Sequence, residues 1–206
     1  MRVIGLCGGS GAGKSLAQAY FADFGIPGID TDLLYRELTS SASPCTEALA
    51  AAFGKEILLP NGALDRGALS TLIFCGGEMQ KERLARLNAV THAIILDECR
   101  KWLKEQEKNG IKAALINAPL LFESGFDKEC DLTLAILSSP EAKRLRIMKR
   151  DGLDEKTALR RLSSQHSDAF LKENTDFQIP NDKTPTELKK KIYAFCQAQG
   201  LLTEEY

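Results

Sequence analysis

Short apolar runs alternate with longer amphipathic stretches over most of the 206 residues of the chain. Continuous apolar runs of five or six residues predict strands that are buried on both faces, as in a parallel sheet. Weaker runs predict two more strands, one of them short and preceded by a turn. The predicted strands lie at 3–7, within 25–30, and at 113–117, 132–137 and 176–179.

Helical periodicity fills most of the segments between these strands. Helices are predicted at 16–24, at 31–53 with an interruption at 43–44, at 68–108 with a break at 76–77, from 140 onward, and at 185–199. The stretch 54–67 contains Pro60, Asn61-Gly62 and Gly67, so it is predicted to be mostly loop. Strands that alternate with helices predict an α/β fold, with a doubly wound, parallel, five-stranded sheet and helices on both faces.

The predicted organisation is a single domain over 1–206, whose sheet core comprises about 1–30, 110–140 and 174–200. The helical stretch between the second and third strands is too long for one crossover connection. It predicts a helical subdomain inserted over about 31–108. A further helical segment, at about 141–172, is rich in basic residues and predicts a lid.

Residues 8–15 have the sequence Gly-Gly-Ser-Gly-Ala-Gly-Lys-Ser, a complete G-x-x-x-x-G-K-[ST] motif between a predicted strand and a predicted helix. Glycines let the backbone turn so that successive N–H groups point at phosphate oxygens, and the helix N-terminus adds a partial positive charge. In such a loop Lys14 reaches the β- and γ-phosphates, and the Ser15 hydroxyl is suited to ligate Mg²⁺. The sequence therefore predicts a protein that binds a nucleoside triphosphate.

Lys143, Arg146 and Arg150 share one face of a predicted helix at i, i+3 and i+7. Arginines placed in this way could close over the phosphates and offset the charge that develops during phosphoryl transfer. The alternative is a solvated basic face. The phosphate loop favours the lid, because such a site needs cations besides Lys14.

Asp30 and Asp32 follow the second predicted strand, at the edge of the sheet where parallel α/β folds bind ligands. One carboxylate could hold magnesium through water, and the other could orient or deprotonate an acceptor hydroxyl. The alternative is that one of them only caps the helix that follows. The strand at 113–117 ends in Asn117 and lacks the acid that usually holds a magnesium-bound water. The run 94–98 mimics that acidic signature, but it lies within a predicted helix, with Asp97 and Glu98 expected on the solvated face.

The charge balance argues against nucleic acid as a partner, because 27 Lys and Arg residues stand against 28 Asp and Glu residues. No apolar run approaches the roughly 20 residues that span a bilayer. The N-terminus, with one Arg before a strand, does not predict a signal peptide. Six cysteines without any C-x-x-C pair predict free thiols in a reducing cytosol. We therefore expect a cytoplasmic protein that acts on a small molecule and binds neither nucleic acid nor membrane.

Three classes of phosphate-loop protein are open at this point. A GTPase would need D-x-x-G and N-K-x-D motifs, and a transporter-type ATPase would need a strand-end acid and a glycine-rich signature. The chain has none of these. A small-molecule kinase needs a phosphate loop, an acid near the acceptor, an acceptor subdomain and an arginine lid, and the sequence supplies all four.

The motifs also occur in a characteristic order. The phosphate loop is followed by Ile29-Asp30-Thr31-Asp32 with Arg36, Leu64-Asp65-Arg66, Leu87-Asn88-Ala89-Val90-Thr91-His92, Pro119-Leu120-Leu121-Phe122-Glu123, Arg146, Arg150, the run 161–165, Asp176 and Asn181. In this combination the chain resembles the dephospho-CoA kinase family from residue 1 to about residue 197. The resemblance implies transfer of the γ-phosphoryl group of ATP to the ribose 3′-hydroxyl of dephospho-CoA, the last step of coenzyme A synthesis.

The resemblance further implies roles for individual residues. The catalytic residues would be Lys14, Arg146 and Asp32, with Asp32 as the base, although the choice between Asp30 and Asp32 stays open. The residues implied to bind ATP are Gly9, Gly11, Ala12, Gly13, Lys14, Ser15, Leu16, Arg146, Arg150 and Asn181. The residues implied to bind the acceptor are Asp30, Asp32, Arg36, Arg66, His92 and Glu123. Mg²⁺ would be held by Ser15 and Asp30.

The chain departs from the family pattern at a few positions. Leu16 stands where Thr is common, which predicts somewhat weaker ATP binding. Ala93 replaces a Pro and leaves the placement of His92 open, and Lys143 replaces a common Gln. The alternative function is another small-metabolite or nucleoside monophosphate kinase. A monomer or small homo-oligomer is expected.

Overall fold

The computed structural model describes residues 1–74 and 76–202. Within them five parallel strands form one sheet in the order β2-β3-β1-β4-β5, which puts β1 at the centre. The strands are β1 Arg2–Cys7, β2 Gly28–Asp30, β3 Ala113–Asn117, β4 Leu132–Leu137 and β5 Phe177–Pro180. The helices are α1 Lys14–Asp23, α2 Thr31–Leu38, α3 Pro44–Phe53, α4 Arg66–Ile73, α5 Gly77–Lys108, α6 Pro140–Asp151, α7 Glu155–Ser163, α8 Asp168–Asn174 and α9 Pro185–Ala198. Single 3₁₀ turns lie at Lys55–Ile57 and Phe126–Glu129.

The parallel five-stranded sheet with surrounding helices confirms the predicted α/β fold. Strands β3 and β4 have the predicted bounds, because each is a fully buried apolar run. Helix α1 begins two residues earlier than predicted, at Lys14, because Gly13 takes a left-handed conformation and serves as its N-cap. The predicted interruption at 43–44 is also present. There Ser43 caps α3 with a reciprocal hydrogen bond to Thr46.

The described residues divide into two compact units. The sheet unit comprises Met1–Asp30 and the chain from Leu103 onward, and the helical unit comprises Thr31–Trp102. The sequence pattern places the end of the insertion at residue 108, whereas residues 103–108 of α5 belong to the sheet unit. Helix α5 is continuous across this boundary, so its periodicity does not mark where one unit ends.

The core of the sheet unit is built from the central strands and from helices α1 and α9. Ile4, Leu6 and Leu134 are fully buried, and Phe21 of α1 meets Phe195 of α9 edge to face at 6.1 Å between ring centroids. Burial of whole aliphatic and aromatic side chains is the main source of stability in such a layer. This core holds the end of β1, and therefore the start of the phosphate loop, in a fixed place.

The helical unit has a separate apolar core. Leu49, Ile57 and Ile73 are almost completely buried there, among side chains from α3, α4 and α5. The acidic run at 94–98 lies in α5, where Asp97 and Glu98 both pair with Lys101 at 2.8 Å. The interpretation of this run as part of a helix is confirmed.

The five cysteines within the described residues carry free thiols, and Cys75 lies outside those residues. Burial raises the pKa of Cys7, Cys130 and Cys196 to about 12, which is the behaviour of unreactive structural thiols. Of the helices in residues 1–74 and 76–202, none combines the length and the apolar character that a bilayer crossing needs.

Candidate functional site

The phosphate loop joins the buried end of β1 to the first turn of α1. Gly8, Gly11 and Gly13 have φ angles of 145°, 76° and 104°, a range that side chains rarely adopt. Space is also restricted, since a Cβ on Gly11 would lie 2.6 Å from the carbonyl oxygen of Lys143, and a Cβ on Gly13 would clash with Asn181 Nδ2. The glycines are therefore required both by the turn and by close neighbours, as the motif predicts.

Lys14 lies across its own loop. Its Nζ donates a hydrogen bond to the carbonyl oxygen of Gly8 at 2.7 Å, and the side chain is half-buried. Ser15 and Leu16, in the first turn of α1, are exposed. The loop thus presents an ammonium group, a hydroxyl and a helix N-terminus together, which is the chemistry of a polyphosphate site.

Arg146 and Asn181 hold the loop by its carbonyl groups. Arg146, on α6, donates from Nη1 to Gly11 O at 3.1 Å and to Ser138 Oγ at 3.0 Å, and from Nη2 to Asn181 O at 2.7 Å. Asn181, just after β5, is buried and donates from Nδ2 to Ala12 O at 2.7 Å. These contacts join three distant segments of the chain at one turn of the loop.

Peptide geometry explains what this arrangement does. In a trans peptide the C=O and the following N–H point in opposite directions. Because Arg146 and Asn181 bind the carbonyls of Gly11 and Ala12, the N–H groups of Ala12 and Gly13 are turned away from them. The Ala12 N–H donates to Gly9 O at 3.0 Å within the loop, so the Gly13 N–H is the donor that these contacts orient before any nucleotide is bound.

A carboxylate pairs with Arg150, the second of the two arginines predicted to belong to a lid. Arg150 binds both carboxylate oxygens of Asp151, at 2.7 and 2.9 Å, and Arg161 binds the same carboxylate. The hydrogen bond from Arg150 is the main cause that lowers the pKa of Asp151 to about 2, and Arg161 adds to it. Arg150 also lies 3.5 Å from Ser10 Oγ, a long contact that brings its guanidinium to the edge of the phosphate loop.

Two further lid contacts reach the phosphate loop. Gln165 Oε1 accepts a hydrogen bond from the backbone N–H of Ser10 at 2.7 Å. Lys143 is buried, its backbone packs against Gly11, and its ammonium pairs with Asp168 at 2.7 Å. Lys143 thus shares a helix with Arg146 and Arg150, as its spacing predicts, but its ammonium is engaged in an ion pair with α8.

At the carboxyl edge of the sheet Asp30 ends β2 and pairs in register with Asn117, which ends β3. Asn117 Nδ2 donates to Asp30 Oδ2 at 2.9 Å and to Gln18 Oε1 at 2.8 Å. Parallel strands bring their carboxyl ends to one edge, so the acid of β2 meets the amide of β3 there.

Glu123 lies in the loop after β3. Its Oε1 is 3.1 Å from Nε2 of His166, a distance suited to a charge pair when the imidazole is protonated. The His166 ring stacks on Phe170 at 3.9 Å, and Phe122 meets Phe170 edge to face. Glu123 is therefore held beside the segment between α7 and α8.

The remaining predicted residues lie in the helical unit. Asp32 is exposed in the first turn of α2, and Arg36 is exposed in its last turn. Arg66 lies over the Tyr35 ring at 5.4 Å and donates to Thr39 Oγ1 at 2.8 Å. His92 is half-buried within α5. The unit thus brings Arg66 to the helix that carries Asp32 and Arg36.

Comparisons with known proteins agree with this geometry. The sequence profile of the dephospho-CoA kinases matches residues 2–187. The chain belongs to the dephospho-CoA kinase family. It is 35% identical over 185 residues to the dephospho-CoA kinase of Corynebacterium glutamicum, an alignment that covers 90% of each chain. It is 32% identical to that of Bacillus cereus over 200 residues, covering 97% of this chain and 98% of the relative.

The fold has a close counterpart in a crystal structure from Thermus thermophilus. That structure superposes with a TM-score of 0.77 at 27% identity, over 96% of this chain and 97% of the other. Both the sequence match and the superposition run nearly end to end.

Sequence reasoning assigned no role to three residues that hydrogen-bond to the neighbours of predicted site residues in this family member. Gln165 was part of a motif, yet nothing marked its contact with Ser10. Asp182 directly follows Asn181 and accepts from Ser138 Oγ and Ser139 N, and the backbone hydrogen bond from Ser139 is the main cause that lowers its pKa. Gln18 lies on α1, where an exposed polar residue would be unremarkable. In each case the contact joins residues that are far apart in the sequence, so no local pattern indicates it.

Proposed function

We propose that this protein transfers the γ-phosphoryl group of ATP to the ribose 3′-hydroxyl of dephospho-CoA, giving coenzyme A and ADP. The observation that carries the proposal is a phosphate loop held in a donor-presenting conformation by Arg146 and Asn181, in a chain that the family profile spans from 2 to 187. The reaction takes place in the cytoplasm, which is supported by the free thiols of the described cysteines.

ATP binds at the phosphate loop. The N–H groups of 13–16 at the α1 N-terminus and the Lys14 ammonium receive the triphosphate, since the first turn of a helix offers N–H donors and a partial positive charge. Lys14 exchanges its bond with Gly8 O for one with a phosphate oxygen. Arg146, Arg150 and Asn181 lie on the α6 and β5 side of the loop, which suits them to contact the rest of the nucleotide.

Mg²⁺ is the expected companion of the triphosphate, and the residues present fit it. Magnesium prefers hard oxygen ligands and keeps several waters, so a hydroxyl and one carboxylate suffice beside phosphate oxygens. Ser15 supplies an exposed hydroxyl in the first turn of α1, and Asp30 supplies a carboxylate with a fixed orientation. When bound, the ion neutralises charge on the phosphate oxygens.

The acceptor is bound by the cationic residues of the helical unit together with Glu123. Arg36 and Arg66 suit the phosphate groups of dephospho-CoA, since guanidinium groups form paired hydrogen bonds to phosphate. Arg66 is pre-oriented by Tyr35 and Thr39. Asp32 takes the proton of the acceptor hydroxyl, and His92 contacts the acceptor.

Positioning and charge stabilisation carry the reaction, because phosphoryl transfer passes through a loose transition state with little covalent help from the protein. Lys14 and the lid arginines balance the negative charge of the transferred group. The protein works as a monomer or a small homo-oligomer on this small-molecule substrate.

The test is a coupled assay of ADP release with ATP, Mg²⁺ and a panel of acceptors: dephospho-CoA, nucleoside monophosphates, shikimate and pantothenate. We expect turnover with dephospho-CoA alone, and the product should carry its new phosphate on the 3′-oxygen by ³¹P NMR. Turnover with a nucleoside monophosphate and none with dephospho-CoA would overturn the proposal while leaving a phosphate-loop kinase.

A further inference from the structure

Three side chains form a partly buried hydrogen-bonded series at the carboxyl edge of the sheet. Gln18 of α1 donates from Nε2 to the carbonyl oxygen of Gly28 at 2.9 Å. Its Oε1 accepts from Asn117 Nδ2 at 2.8 Å, and the same nitrogen donates to Asp30 Oδ2 at 2.9 Å. Asn117 is only 1% exposed, so its polar atoms depend on protein partners.

The hydrogen bond to the Gly28 carbonyl determines which group donates and which accepts in each of the other hydrogen bonds of this series. A backbone carbonyl can only accept, so Gln18 must turn its amino group toward Gly28 and its oxygen toward Asn117. Asn117 must then present its amino group, whose two hydrogens serve Gln18 and Asp30. The amide of Asn117 therefore offers a donor to Asp30 in one orientation only.

An acid at position 117 would not fit this network. An ionised carboxylate there would face two acceptors, Gln18 Oε1 and Asp30 Oδ2, at hydrogen-bond distance. A flip of Gln18 would relieve one contact but would turn its oxygen toward the Gly28 carbonyl. The observed network therefore favours an amide at position 117, where other phosphate-loop proteins end this strand with the acid for a magnesium-bound water.

We infer that Asn117 is a positioning residue that holds the Asp30 carboxylate toward the metal-bound nucleotide, with Gln18 as the support that orients Asn117. The inference rests on the proposed binding of Mg·ATP. The register of the sheet supports it, because Asn117 lies between Leu6 on β1 and Asp30 on β2, and β1 leads directly into the phosphate loop. Asp30 is half-buried, and the Asn117 amide at the end of the adjacent strand β3 narrows the orientation of its carboxylate.

The test is the affinity for ATP by calorimetry, with Mg²⁺ and separately with EDTA. Residues that orient a metal-binding group typically change metal affinity by about 10-fold or more when removed. We expect Asn117→Ala to weaken Mg·ATP binding by about tenfold and metal-free ATP binding by less than about twofold. Gln18→Met should give a smaller loss of the same kind. Equal losses with and without Mg²⁺ would show that the network only shapes the loop, and would overturn the inference.

A double-mutant cycle with Asp30→Asn asks whether Asn117 works through Asp30. If it does, Asn117→Ala causes no further loss of Mg·ATP affinity in the Asp30→Asn background. Losses that add in full would overturn the inference.

Thr133→Val is the matched control, since Thr133 is another buried, hydrogen-bonded side chain of the sheet, bound to Asp176. It should lower the melting temperature and leave both ATP affinities unchanged. If Asn117→Ala does not fold, Gln18→Met alone decides between the outcomes. These measurements need no acceptor, so a failure of the proposed acceptor in the assay above leaves the present test intact.

Discussion

The sheet unit and the helical unit hold their candidate residues in different ways. In the sheet unit Arg146, Asn181 and Asp30 are tied by hydrogen bonds to backbone carbonyls or buried amides. In the helical unit Asp32 and Arg36 are exposed side chains on one short helix. The difference indicates that these residues of the sheet unit are oriented by the protein itself, whereas Asp32 and Arg36 are groups that water also reaches.

Buried and exposed polar groups differ in the free energy that is lost when a hydrogen-bond partner is removed. A buried donor or acceptor that loses its partner costs about 1–3 kcal/mol, whereas an exposed one is rescued by water. Substitutions in the sheet unit should therefore disturb nucleotide binding and stability together. Substitutions of exposed residues in the helical unit should change catalysis with little effect on the fold. The predictions below separate these two patterns.

The largest effect is expected for Lys14→Ala. Removal of a charge that acts on the transferred phosphoryl group should lower kcat/KM by about 10³-fold, because such preorganised groups contribute most of the stabilisation. Steady-state kinetics with ATP and dephospho-CoA measure the loss, and circular dichroism should show an unchanged fold. Activity near that of the wild type would contradict the role proposed for Lys14 in the phosphate loop.

The second-largest loss of activity is expected for Asp32→Asn. Loss of a general base lowers kcat by about 10²- to 10³-fold, and because Asp32 is exposed the fold should be unaffected. Nucleotide affinity, measured by calorimetry, should stay within about twofold of the wild type, since a base that acts on the acceptor hydroxyl contributes to the chemical step and not to ATP binding. If Mg·ATP affinity fell in step with kcat, Asp32 would organise metal and would not be the base.

Arg146→Ala tests whether the hydrogen bonds that hold the phosphate loop in the sheet unit contribute to ATP binding. The guanidinium binds both Gly11 O and Asn181 O, so its loss should lower kcat by about 10²-fold and also weaken ATP binding. Arg144→Ala is the matched control on the same helix, because Arg144 pairs only with surface Glu155 among its described ion pairs. Unchanged ATP affinity in Arg146→Ala would mean that the loop keeps its shape without this support.

Gly13→Ala should weaken ATP binding by about tenfold, through strain at φ 104° and a clash with the Asn181 amide. Gly152→Ala serves as the comparison, because Gly152 also has a positive φ, 65°, but no atom lies within 4 Å of an added Cβ. Both should lose some stability, measured by urea unfolding. Equal ATP affinities in the two variants would show that close packing at Gly13 is unimportant.

The smallest effect concerns pH. The pKa of Asp151 is lowered to about 2 by Arg150 and Arg161, so its ion pair stabilises the folded state above the ordinary carboxyl pKa of 3.8. That contribution is lost as the pH falls from 3.8 through 2. Asp151→Asn should therefore be slightly less stable than the wild type at about pH 6, and the difference in urea unfolding should shrink toward about pH 2.5. A difference that grows on acidification would contradict the pairing.

Some features of the protein were determined by the sequence alone. The phosphate loop, the buried runs at 113–117 and 132–137 and the break before Pro44 are local patterns, and each forms where its pattern predicts. The order of motifs was sufficient to indicate the family. Local signals suffice here because a turn, a cap or a buried strand depends mainly on residues a few positions apart.

Only the tertiary structure decided how the groups at the site are held. The strand order, the attachment of Arg146 and Asn181 to the loop carbonyls and the amide of Asn117 on Asp30 all join residues far apart in the chain. The spacing of Lys143, Arg146 and Arg150 indicated a shared helix face. Lys143 is nevertheless buried in an ion pair with Asp168, whereas Arg146 donates a hydrogen bond to a carbonyl of the phosphate loop. Helical periodicity fixes the direction of a side chain but not its partner, because the partner is brought there by the packing of other elements.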